Sequence, residues 1–152
     1  MTVLLDARTS QNASFANSIN VPLGDAPELI GIVGLNTGEA TGPVTTQFAG
    51  TVSLQIPGGL PDEAAGITIT VVRGLDIVAD PIVYSATETY SLNLEPDERQ
   101  VVITFEGSDY NVVSEELLIY TVFVNNPPFL PGGDVLIRVG PESFNAAVYD
   151  YS

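Results

Sequence analysis

The residues of this chain that could do chemistry are its acids: nineteen Asp and Glu stand against four Arg, with no His, Cys, Lys or Trp. Glycosidic chemistry uses two carboxylates held roughly 5–9 Å apart across a sugar. The sequence offers pairs at Asp62/Glu63, Asp97/Glu98 and Glu115/Glu116, and a looser one at Asp76/Asp80. A chain so rich in acids produces such pairs by chance, and solvated loop acids are the simpler account. Without His the usual general base at neutral pH and the commonest zinc ligand are missing. Without Cys there is no thiolate ligand or disulfide, and without Lys no Schiff base or Lys-linked cross-link. Calcium needs several oxygens at ordered spacing, and neither residues 106–109 nor residues 131–134 build the twelve-residue loop. An irregular calcium loop stays open as the lesser alternative. Gly31/Gly34 and Gly58-Gly59 do not make a phosphate-cradling loop, and no Gly-x-Ser-x-Gly elbow occurs. The chain is therefore expected not to be an enzyme, with no catalytic residue, cofactor or metal.

The formal charge of −15 narrows the partners. Such a field repels phosphate backbones and anionic lipid, so neither nucleic acid nor a membrane surface is expected to bind. The N-terminus lacks a basic segment before an apolar one, which reads as no signal peptide, and no apolar run approaches the roughly 18 residues of a span. Yet only 15% of residues are charged. That apolar composition suggests further surface buried in an assembly.

The elements that would position any site are strands. Residues 44–56 alternate cleanly: Val44, Thr46, Phe48, Gly50, Val52, Leu54 and Ile56 face one way. Thr45, Gln47, Ala49, Thr51, Ser53 and Gln55 face the other, polar but uncharged. Strands are also expected over 29–35, 67–73, 77–84 (interrupted at Asp80-Pro81), 89–94, 99–105, 117–124, 135–139 and 144–149. Loops are expected at 36–43, 57–66, 106–116 and 125–134, and turns at 95–98 and 140–142. No stretch carries a helical period over three turns. Eight or nine short strands with turn signals between them predict an all-β, antiparallel fold, a β-sandwich or a jelly roll. Residues 117–124 (Leu-Leu-Ile-Tyr-Thr-Val-Phe-Val) are apolar on both faces, so both should be covered. One face would meet the core, and what covers the other is the open question.

The aromatics, six Tyr and six Phe, fall mostly at strand positions and read as core or interface. Tyr110, in a predicted acidic loop, is the one attractive ring for stacking on a sugar. Residues 1–24 differ from the rest. They are polar with little charge after a short apolar start, which suits either a leader without fixed structure or an extended arm. As an arm, Val3, Leu4 and Leu5 would dock into a neighbouring copy, adding a strand or plugging a pocket. The domain proper then covers residues 25–152. Asn12-Ala-Ser14 matches the N-glycosylation sequon but carries little weight without a secretion signal.

The order of landmarks from Phe48 onward resembles a known family. Phe48-Ala-Gly-Thr-Val52 is followed by Ile67-Thr-Ile-Thr-Val-Val-Arg-Gly74, a strand holding Tyr90, the strand Ile-Tyr-Thr-Val-Phe-Val, and finally Val139-Gly-Pro-Glu-Ser-Phe-Asn-Ala-Ala-Val148. This is similar to the small spore-surface proteins of endospore-forming bacteria whose C-terminal domain is a TNF-like jelly roll, the fold of complement globular heads. The resemblance covers roughly residues 29–151. It implies a homotrimer on the exosporium or in spore appendage fibres, an extracellular place reached without a signal peptide, with one face of residues 117–124 turned to the trimer axis and Tyr120 or Phe123 at the trimer interface. It also implies other spore-coat or exosporium proteins as partners. The collagen-like stalk of filamentous relatives is absent, and without Cys any head-to-tail fibre would be held by packing and strand pairing. The expectation is a structural, self-assembling subunit polymerising through its arm. The alternative is a carbohydrate- or receptor-binding β-sandwich at the tip of a surface fibre.

Overall fold

The strand read over residues 44–56 is the spine of the molecule in a computed structural model, which describes residues 1–60, 63–92, 98–130 and 135–152. Among the described residues nine strands follow one another: β1 (Val3–Ala13), β2 (Val21–Pro22), β3 (Glu28–Asn36), β4 (Val44–Ile56), β5 (Ala64–Arg73), β6 (Ile82–Ser91), β7 (Arg99–Val112), β8 (Leu117–Asn125) and β9 (Ile137–Asp150). No helix occurs among the described residues.

The strands form two antiparallel sheets. One runs β1-β9-β4-β7, with β2 also on β9; the other runs β3-β8-β5-β6. Only β5 and β6 join as neighbours of one sheet among the connections from β3 to β9, so the chain otherwise crosses between sheets. That order is a jelly roll, two interlocked Greek keys. Inward-facing residues of both sheets meet in one core. At its centre Phe48, Tyr84, Phe105 and Phe144 stack with centroids 5.8–6.4 Å apart. Gly50 and Gly107 lie beneath these rings: a Cβ on Gly107 would come within 2.7 Å of Phe48, and one on Gly50 would collide with Phe105.

Several boundaries differ from the sequence expectation. Residues 77–84 and 89–94 are not two strands: Asp80 accepts from the amides of Leu75 and Asp76, folding 74–81 into a loop, and β6 begins after Pro81. Residues 106–112, expected as loop, extend β7, because Glu106, Gly107, Ser108 and Asp109 keep register with β4. The expected turn at 140–142 is instead a point inside β9, with Gly140 at φ 84° and a cis Gly140–Pro141 bond. Leu94, the turn at 95–98 up to Asp97, and Asp62 and Asp134 lie outside the described residues.

The segment expected as an arm contributes β1, paired with β9 from Val3↔Asp150 to Ala13↔Glu142 with two register shifts. In the single chain residues 3–13 are thus the edge strand of a sheet. Polar side chains suffice there, since an edge strand with an exposed face needs no apolar alternation. Ser10 Oγ accepts from Ile32 N at 3.2 Å and Asp6 Oδ2 from Asn36 N at 2.9 Å, closing the seam between β1 and β3.

Candidate functional site

Of the residues expected at an oligomer interface, Tyr120 is wholly buried. Its hydroxyl donates to Asp109 Oδ2 at 2.9 Å, and Arg73 Nη1 donates to the same oxygen at 3.0 Å. Burial, helped by the Asp109 charge, pushes the Tyr120 phenol well above its usual range. With no exposed surface, Tyr120 has nothing to offer a second copy; β8 is a central strand whose Leu118, Tyr120, Val122 and Val124 face the core. Phe123 is half-buried on the opposite face, beside the exposed Leu29 of β3. The two candidates therefore lie on different sides of one sheet. Val3 and Leu4 are exposed and Leu5 is half-buried against the core. The acid pairs do not converge: Asp76 and Asp80 cap the amides of their own loop, and Glu115 and Glu116 are exposed.

A different surface is built as a site. On the outer face of the β1-β9-β4-β7 sheet, register sets side chains in rows. Ala7, Ala147, Gln47 and Ser108 form one; Thr9, Asn145, Ala49 and Glu106 the next; Gln11, Ser143, Thr51 and Thr104 a third. The first two rows border an open trough of about 690 Å³. Of the charged residues lining it, Arg8 is paired with Asp6, and Glu106 stands exposed on β7. In a chain of charge −15 this is a sparsely charged, flat face. The uncharged outward face of residues 45–55 was legible in the sequence; what the sequence could not show was that β1, β7 and β9 continue it.

Beside the trough, residues 14–18 form a flap between β1 and β2. Phe15 O accepts from Ser18 N at 3.3 Å and from Ser18 Oγ at 2.6 Å, and Asn17 sits at φ 57°. Gln100 Nε2, on the outer face of β7, donates to Asn17 Oδ1 at 2.6 Å, so the flap reaches across β9 and β4. Ser53 points to the same outer face yet is only 3% exposed, consistent with cover by the flap. Gly140 makes room for it: a Cβ there would come within 2.7 Å of Phe15 O and 2.9 Å of Ser18 Oγ. Phe15 itself is 75% exposed. Sequence reasoning missed it, because one aromatic in a polar stretch carries no periodic signal.

Behind this face lies a buried charge cluster. Arg138 Nε and Nη2 donate to Glu142 Oε1 and Oε2 at 2.6 and 2.9 Å, a bidentate pair, and Nη1 donates to Glu28 at 2.5 Å. Burial opposes the Arg138 charge, but Glu142 and Glu28 outweigh it and hold its pKa above the usual value. Asn12 Nδ2 donates to Glu142 Oε2 at 2.7 Å, so the sequon asparagine is engaged in fastening β1 to β9. Tyr110, the candidate sugar ring, is exposed at the far end of β7.

No protein-family model and no curated protein matches the chain. Among solved structures, the Eiger TNF from S. frugiperda is similar, with 13% identity and a TM-score of 0.46, covering 98% of this chain and 95% of that one. A structure of the infectious bursal disease virus Gx strain matches with 10% identity and a TM-score of 0.48; the match covers 95% of this chain but 32% of the viral one.

Proposed function

We propose that the protein is a structural, self-assembling subunit: copies associate through the outer face of the β1-β9-β4-β7 sheet as a homotrimer. The observation that carries this is the sparsely charged small-residue trough on a chain of charge −15. Elsewhere, like charge keeps copies apart; here close approach meets little repulsion, and flat rows of small side chains let two backbones come near. Ala49→Arg places an exposed, unpaired cation in the trough. It should reduce the assembly to protomers in light scattering while leaving the circular dichroism unchanged; an unaltered mass would remove the trough from the interface.

The finer part of the proposal is a head-to-tail fibre on the spore surface, with other coat or exosporium proteins as neighbours. Its location rests on the sequence resemblance. For stacking, the support is the end of the sandwich where the termini meet: the Met1 ammonium donates to Ser152 O at 3.1 Å. Val3, Leu4, Leu75, Val78, Val113 and Leu117 are exposed around that end. A heterologous contact between one end and the next copy gives an open polymer. Leu4→Asp, which sets a charge in that apolar surface, should shorten or abolish fibres in electron microscopy without dissociating trimers. Fibres of normal length would exclude Leu4 from the docking contact.

A further inference from the structure

We infer that the cleft between the β5–β6 and β7–β8 connections binds a small zwitterion of the α-amino-acid type. The cleft holds about 530 Å³, within the roughly 300–1,000 Å³ of sites that take small ligands. Residues 73–81 wall it on one side and residues 111–119 on the other. It lies at the end of the sandwich that holds the termini, where Val44 pairs with both Val112 and Asp150. The inference stands apart from the assembly reading and uses no residue of the β1-β9-β4-β7 face.

The polar groups of the cleft carry both signs and are set by the fold. Arg73 lines it and gives only Nη1 to the protein, to Asp109 Oδ2, an oxygen that the buried Tyr120 hydroxyl also holds. Its Nε and Nη2 make no hydrogen bond among the described residues, and the side chain is 32% exposed. A guanidinium anchored at one nitrogen thus keeps its other edge for bidentate contact with a carboxylate. Asp80 lines the same cleft; Oδ2 accepts from the Leu75 and Asp76 amides, and Oδ1 accepts from nothing among the described residues. Glu115 lines it too and enters no ion pair among the described residues. These two acids attract an ammonium. Val113 and Leu117, both exposed, and the half-buried Ile119 supply an apolar wall. A simple carboxylate would meet two acids, and a simple amine would leave the free edge of Arg73 unused. A zwitterion with an apolar side chain meets all three requirements.

The test titrates the full chain with L-leucine by isothermal calorimetry, beside the Leu4→Asp protein, whose end is expected not to stack. Saturable binding with a Kd of about 10 mM or tighter is expected. 4-Methylpentanoate lacks the amine and L-leucinamide lacks the carboxylate. Each should bind at least about 10-fold more weakly, the size of one lost charge-assisted hydrogen bond. Arg73→Lys keeps a charge on Asp109 but loses the fork, and should weaken L-leucine by a similar factor. Glu115→Gln, on an exposed loop, should weaken L-leucine while leaving 4-methylpentanoate unchanged or tighter. No saturable binding to either protein would overturn the site. Binding that ignores both substitutions would overturn the cleft as its place, and equal binding of the three probes would overturn the zwitterion. The mass from light scattering is read in parallel, so failure here is distinguishable from failure of the assembly reading.

Discussion

At the residue scale, three of the four arginines are spent on ion pairs within the protomer. Arg8 pairs with Asp6, Arg73 with Asp109, and Arg138 with Glu142 and Glu28. The Arg138–Glu142 pair is the most consequential, since Glu142 is wholly buried. Breaking a buried pair from one side leaves an uncompensated charge. Glu142→Gln keeps the shape but removes the negative charge, and should cost about 3–5 kcal/mol in urea unfolding. It also weakens the grip of Asn12 on β9, so trypsin cleavage at Arg8 should become faster. A loss well under about 1 kcal/mol would show that Gln satisfies Arg138 and that the charge matters little.

At the element scale, β1 is an edge strand, and carboxylates hold the edge it belongs to. Asp6 is kept below its usual range chiefly by the Asn36 amide, with Arg8 adding to it. Asp150, at the end of β9, is lowered further by the Ser152 hydroxyl and by the Thr41 amide and hydroxyl. Both groups are depressed in the folded state. Their contribution is therefore complete above the unfolded value of 3.8 and is lost as pH falls through the folded values. The urea midpoint should drop between about pH 5 and about pH 2, and drop less steeply in Asp150→Asn. Equal slopes would mean that Asp150 does not set acid stability.

The same strands show what was legible. β4 was plain because one face is core and the other solvent, which imposes period two on the residues. The all-β sandwich class followed from many short strands and their turns, and the jelly-roll choice from the order of landmarks from Phe48 onward. β1 was not legible: an exposed edge strand buries little of itself, so Asp6 to Asn12 read as polar chain. β9 was cut in two because Gly140-Pro141 has the composition of a turn, although pairing to β1, β2 and β4 carries the strand through. Residues 117–124 were expected to be covered on both faces; within the protomer the core takes Leu118, Tyr120, Val122 and Val124, while Leu117 is exposed and Phe123 half-buried on the other face. The trough was legible by a quarter, as the uncharged face of β4. The other three strands join it only through non-local register, which no local pattern records.

At the scale of the whole molecule, strand order puts β1, β9, β4 and β7 side by side, and their outward residues merge into the sparsely charged face. The same topology gathers both termini and several exposed apolar side chains at one end of the sandwich. Removing residues 1–24 would strip β1 and β2 from β9 and deprive Glu142 of Asn12, so point substitutions separate assembly from folding better than truncation does. The central claim is that this jelly roll exists to assemble with itself, and the solution mass of the unmodified chain tests it most directly. Light scattering should give about three times the 16.0 kDa protomer mass, or a larger multiple where trimers stack. A single species of 16.0 kDa at every concentration would contradict it.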